Sequence, residues 1–131
     1  LRQNGFGEES VRPFFQLSAG TIIALALQVQ FVHAQSAAAY VVTYVDVMPT
    51  AVAPATALLK KYRNASLHQD GNLREEVLQE LERPNRFTIV EAWRDKAAFD
   101  SHTRSAATTE FHDKLKANQA APYDERINTA L

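Results

Sequence analysis

From Phe87 to His102 the chain reads Phe-Thr-Ile-Val-Glu-Ala-Trp-Arg-Asp-Lys-Ala-Ala-Phe-Asp-Ser-His, and no other stretch restricts the fold as much. Phe87 to Trp93 is an apolar run rich in β-branched and aromatic residues, of a length that suits one buried strand. Asp95 then offers an N-cap oxygen, and Lys96-Ala97-Ala98-Phe99 begins a short helix. Glu91 and Trp93 share one face of the strand, because side chains alternate along it. Phe99 and His102, three apart, share one face of the helix.

The remaining elements follow from the same signals. Ala38 to Val47 is rich in Val, Thr and Tyr and reads as a first strand, ended by Met48-Pro49 because proline cannot donate to a ladder. Pro54 to His68 reads as a helix with Leu58, Leu59, Tyr62 and Ala65 on its inner face and Lys60, Lys61 and Arg63 solvated; Asp70-Gly71 stops it. Asn72 to Leu81 is ambiguous. Leu73, Val77 and Leu81 fit helical spacing, yet they also line one face of a strand, and the turn Arg83-Pro84-Asn85 feeds directly into the strand at Phe87. A strand is expected there. Ser105 to Asn118 predicts a further helix with Ala106, Phe111 and Leu115 inward, broken by Pro122. A last strand within Tyr123 to Leu131 would complete β-α-β-β-α-β, an α+β, ferredoxin-like arrangement with an antiparallel sheet. The first and third strands carry apolar side chains on both faces. Helices can cover only one face, so a second copy of the sheet is expected on the other, in a homodimer.

Composition narrows the function. Net charge is −1 and neither sign clusters, so the basic stripe of a nucleic-acid binder is missing. Cysteine is absent, which removes disulfides, thiolate nucleophiles and cysteine metal sites. Phe14 to Val32 is mostly apolar, follows Arg12 and ends near Val32-x-Ala34. It matches a secretory signal peptide cleaved after Ala34, predicting export to the periplasm or beyond and no stable membrane anchor. An uncleaved anchor is the alternative, although Gln16, Gln28 and Gln30 interrupt the run. Leu1 to Ser10 are expected to be untranslated if Val11 is the initiating codon. The domain is expected over residues 35–131.

The strand-cap-helix unit, together with Asp70-Gly71-x-Leu73 and Pro84-x-Arg86-Phe87, resembles the antibiotic biosynthesis monooxygenase (ABM) family. That resemblance implies a ferredoxin-like fold whose dimer closes two sheets into an α/β barrel. It also implies a cofactor-independent monooxygenase acting on a quinol or similar phenol. A non-catalytic module for a small aromatic ligand or a partner, and an isomerase of a small oxygenated metabolite, are alternatives within the same family. One departure stands out: Glu75 occupies a position where relatives often place an aromatic.

Outside the leader the only histidines are His68, His102 and His112, and none forms a metal-binding pair at i, i+4 spacing. No metal and no cofactor is therefore expected. His102 is the candidate general base, since imidazole titrates near neutrality; a histidine satisfied by backbone near a helix C-terminus is the alternative. Glu91 is the candidate orienting carboxylate, or else half of a structural ion pair. Trp93 and Phe99 are candidate walls for an aromatic substrate, or simply core. Tyr44 could bond a ligand oxygen. Glu75 would pair with His102 as acid and base in the isomerase reading. His112 stands ten positions beyond His102, the spacing of an iron-binding histidine in haem-degrading relatives. Those relatives carry a different aromatic at the His102 position and an asparagine on strand one, which Tyr40 to Val47 lacks.

Overall fold

The computed structural model describes residues 37–131; the expected leader lies outside the described residues. The elements run β1 (Ala39–Asp46), a 3-10 turn (Pro49–Ala51), α1 (Val52–Leu67), β2 (Asn72–Gln79), β3 (Arg86–Trp93), α2 (Lys96–Thr103), α3 (Ala106–Lys116) and β4 (Asp124–Asn128). The strands form one antiparallel sheet in the order β2-β3-β1-β4. This is the ferredoxin-like α+β arrangement. Among the described residues no helix is long and apolar enough to cross a membrane.

The unit Phe87–His102 folds as its residues dictate. Asp95 caps α2 by accepting the Ala98 N–H at 2.7 Å, which satisfies one donor that a helix start leaves free. Gly71 reverses the chain after α1 at φ +84°, and a Cβ there would lie 2.5 Å from the Ala98 Cβ. Glycine is needed twice over, for the backbone angle and for the space.

Asn72–Gln79 is a strand despite its helix-forming composition, because pairing with β3 decides the matter. It carries a bulge: Asn72 pairs with Trp93 and Arg74 with Ala92, leaving Leu73 as the extra residue. The expected inner row of Leu73, Val77 and Leu81 is thereby corrected. Leu73 is turned out, Leu81 lies past the strand end at 99% exposure, and Glu75 and Val77 face the helices. The hairpin closes through the Glu80 N–H on Arg86 O and the Arg86 N–H on Arg83 O.

Two more inner faces differ from expectation. On α1 the buried stripe is Ala55, Leu59, Tyr62 and Ser66, with Leu58, Arg63 and Ala65 half-buried at its flanks. On α3 it is Thr108, Phe111 and Leu115, whereas Ala106 is exposed. Ala106 is two residues before Thr108 and so lies on the far side of the helix. The helix ends at Lys116, where Asn118 Nδ2 donates to Lys114 O, well before Pro122.

Two apolar clusters form the core. The larger contains Val45, Val47, Ala55, Leu59, Tyr62, Phe87, Ile89, Phe111 and Leu115; the smaller contains Ala39, Val41, Trp93, Ala98 and Phe99. The opposite sheet face carries Tyr40 and Tyr44 from β1 and Leu78 from β2, all substantially exposed.

Candidate functional site

A polar chain joins the two apolar clusters. Glu91, on the helix-facing side of β3, accepts the Tyr62 O–H at Oε1 (2.9 Å) and the Trp93 indole N–H at Oε2 (3.1 Å). Tyr62 Oη also lies 2.7 Å from His102 Nε2, and His102 Nδ1 lies 2.8 Å from Gln69 Oε1. Glu91 thus reaches His102 through Tyr62, with 3.7 Å separating its Oε1 from Nε2 directly. Gln69 Nε2 continues the chain to Ser105 Oγ, which donates to Thr108 Oγ1.

Glu75 stands directly across from Glu91 in the β2–β3 ladder, and both are only 2% exposed, as is His102. Asn72 Nδ2 donates to Glu75 Oε2 at 3.3 Å, while Glu75 Oε1 has no hydrogen-bond partner among the described residues. Cross-strand neighbours bring their Cβ atoms to about 5 Å. Two full charges about 5 Å apart would repel by roughly 3 kcal/mol at an effective dielectric of 20. Burial and the neighbouring Glu91 push Glu75 up to about 9, so it is protonated at neutral pH. Burial also raises Glu91, against the pull of the Trp93 and Tyr62 donors. Tyr62 is held neutral by burial and by both carboxyl groups.

Burial drives His102 down to about 4, and His112 adds like-charge repulsion. Desolvation disfavours the charged imidazolium, and the ring is neutral at pH 7. The expectation of a histidine titrating near neutrality is corrected accordingly. Trp93 packs against His102, the rings tilted by 32° with centroids 4.4 Å apart, Phe99 follows at 6.0 Å, and Tyr62 stacks on Phe111 at 4.0 Å. A substrate ring cannot enter between Trp93 and His102 at that spacing. Gln69, the partner of His102 Nδ1, lines together with His102, Asp70, Arg94, Asp95, Ser101 and Ser105 a recess of about 510 Å³.

His102, Glu91, Trp93, Phe99 and Glu75 are therefore brought together on the helix side of the sheet. Tyr44 is not; it sits on the opposite face, 47% exposed, beneath the Arg126 guanidinium. His112 is half-buried on α3, against Phe111 and the Tyr123 ring. Tyr62, Gln69 and Thr108 were not singled out by sequence. Tyr62 looked like one more core aromatic of α1, and only its position across from Glu91 separates it from that role. Among the described residues no three His, Cys, Asp or Glu side chains are arranged to hold a metal ion.

The family model described as antibiotic biosynthesis monooxygenase matches residues 38–114. The chain belongs to that family. The ABM domain superposes on a conserved protein from Methanosarcina mazei Go1 with a TM-score of 0.69 and 28% identity, covering 74% of this chain and 96% of that one. A candidate antibiotic biosynthesis monooxygenase from Nitrosomonas europaea gives 0.70 at 22% identity, covering 74% and 93%. A similar candidate from Deinococcus radiodurans gives 0.67 at 23%, covering 70% and 91%. No curated protein matches the chain. The two likenesses below 25% identity show a common ABM fold.

Proposed function

We propose that this ABM-family chain is a monooxygenase that oxidises a quinol or similar phenol with dioxygen, using no cofactor. The observation that supports this most is a neutral imidazole that lines a recess beside Gln69, the partner of its Nδ1, while its Nε2 is tied through Tyr62 to a buried carboxylate. The substrate hydroxyl takes the place of the Gln69 amide at Nδ1. The electron-rich ring passes one electron to dioxygen as its hydroxyl proton moves to Nδ1. The resulting ring radical and superoxide then combine into a ring peroxide, which forms the new C–O bond. Its O–O bond breaks, the outer oxygen leaves as water with two substrate protons, and the ring is left as the hydroxyquinone. The substrate does the work of a cofactor, and the protein positions it and takes the proton. Direct deprotonation of a phenol near 10 by an imidazole at about 4 would cost roughly 8 kcal/mol. Proton and electron therefore leave together, since ring oxidation makes the hydroxyl strongly acidic.

Oxygen uptake by the purified protein across a panel of quinols and catechols, with metals chelated, is the test. Uptake with at least one member is expected, falling at least about tenfold in His102→Ala with the fold retained. No uptake across the panel, or full uptake in the variant, overturns the reading. A binding module that holds a small aromatic without reaction is the second reading. It is favoured by the engagement of both His102 nitrogens, and calorimetric binding without oxygen consumption would identify it.

A homodimer through the open sheet face belongs to the same proposal, supported by the exposed Tyr40, Tyr44 and Leu78. So does export, supported by the apolar run Phe14–Val32 and the Val32-x-Ala34 motif.

A further inference from the structure

We propose that Glu75 and Glu91 form a proton-sharing pair that ends a relay running from His102 through Tyr62, alternating between one shared proton and two. The inference deepens the proposed function, on which only the direction of proton flow rests. It identifies the group that finally takes the substrate proton. Three observations carry it. The ladder register sets the two carboxyl groups opposite each other on the buried side of the sheet. Glu75 Oε1 is buried and has no hydrogen-bond partner among the described residues, and a proton shared with Glu91 satisfies it. Tyr62 Oη lies within hydrogen-bond reach of both Glu91 and His102, at 2.9 and 2.7 Å.

A phenol has one proton to donate, so Tyr62 cannot serve Glu91 and His102 at once. Two proton arrangements satisfy the distances around Glu91, Tyr62 and His102. In the first, Glu91 is ionised and accepts from Tyr62, Trp93 and Glu75; Nε2–H donates to Tyr62 Oη, and the Gln69 amide is turned over so that its NH2 donates to Nδ1 and its oxygen faces Ser105 Oγ. In the second, Glu91 carries a proton and donates to Tyr62 Oη, Tyr62 donates to Nε2, and Nδ1–H donates to Gln69 Oε1. One step converts the first into the second. A proton arrives at Nδ1, the Nε2 proton moves to Tyr62 Oη, and the Tyr62 proton moves to Glu91. No bond other than O–H and N–H is made or broken, and His102 ends neutral in its other tautomer. The acceptor strength is then that of the carboxyl pair, raised by burial, rather than that of the weakly basic ring.

The groups facing the relay are Asn72 on β2, Trp93 on β3, Arg63 on α1, Thr108 and His112 on α3, and Glu125 on β4. Arg63 lowers Glu75, whereas Glu125 raises Glu91.

The test uses the full chain and two spectroscopic signals that need no substrate. Infrared difference spectra should show a deuterium-sensitive carboxylic-acid carbonyl band at pH 7 that weakens in Glu75→Gln and in Glu91→Gln. Either isosteric variant suffices if the other does not fold. Nitrogen-15 NMR should show His102 changing from Nδ1–H to Nε2–H with the same pH midpoint at which the acid band loses intensity. Tyr62→Phe should keep the band, uncouple the tautomer from it, and lower any oxygen uptake at least about tenfold. Absence of the acid band at pH 7, or a His102 tautomer that does not follow it, overturns the relay whatever the activity. Absence of oxygen uptake with both signals intact overturns the proposed function and leaves the relay standing.

Discussion

Replacing Glu75 by Gln exchanges one oxygen for nitrogen opposite Glu91 and removes a titrating group at nearly constant volume. In the folded chain Glu75 releases its proton at about 9, against an ordinary 4.5. Between those values the folded state holds a proton that the unfolded state has lost, so this group makes stability fall as pH rises. From pH 4.5 to pH 7 the loss is roughly 3 kcal/mol, at about 1.4 kcal/mol per pH unit. His102 acts with the opposite sign. Its folded value of about 4 lies below the ordinary 6.5, so stability rises with pH between those values by a similar amount, roughly 3 kcal/mol. The two nearly cancel in the native chain up to about pH 6.5, beyond which only the Glu75 loss continues. Glu75→Gln removes one contribution and keeps the other. Its stability relative to the native chain should therefore rise by about 2–3 kcal/mol from pH 4.5 to pH 7. In thermal terms the gain is about 10–15 °C. Urea unfolding followed by the fluorescence of Trp93, the sole tryptophan and fully buried, measures it directly. A difference between the two chains that stays constant from pH 4.5 to pH 7 would refute a protonated Glu75.

Gly71→Ala should destabilise the fold by more than about 1 kcal/mol, since both the positive φ and the Ala98 Cβ resist a methyl group; thermal unfolding checks this. Asp95→Ala removes the α2 cap and should cost about 1 kcal/mol, whereas Asp95→Asn should recover most of it. Tyr44→Asp places a charge on the open sheet face and should turn a dimer into monomers in light scattering, while leaving the monomer folded.

The parts of the fold legible in the sequence were those set by local chemistry. The Asp95 cap, the Gly71 stop, the Pro49 strand end and the turn at Arg83–Asn85 each act over a few residues, and each stands where its residue types place it. Glu91 beside Trp93, and Phe99 beside His102, followed from the strand and helix periods. What periodicity could not supply was anything fixed by pairing across the sheet. The bulge at Leu73 moved that residue out of the inner row, and the register alone set Glu75 against Glu91. The role of Tyr62 depends on α1 lying across β3. The depression of His102 depends on how completely Trp93, Phe99 and Tyr62 enclose it. Tyr44 went to the opposite face through its position in the β1 alternation, where Thr43 and Val45 are the buried neighbours.

The bulge also separates two ways of threading one strand. Pairing outward from Asn72 and Trp93 without an extra residue would bring Arg74, not Glu75, opposite Glu91, and opposite charges would meet in the ladder. The native register gives up that ion pair and sets two acids together, while Arg74 pairs with Glu76 in solvent. β2 is thus locally frustrated at its start and consistent at its end, where Val77 meets the core and the hairpin fixes the pairing. Removing Leu73 would leave every downstream pair in place, so a shortened chain would keep the acid pair on a straighter strand. The slip that restores the ion pair would instead carry Glu75 to the solvent side, where it gives up its proton at neutral pH.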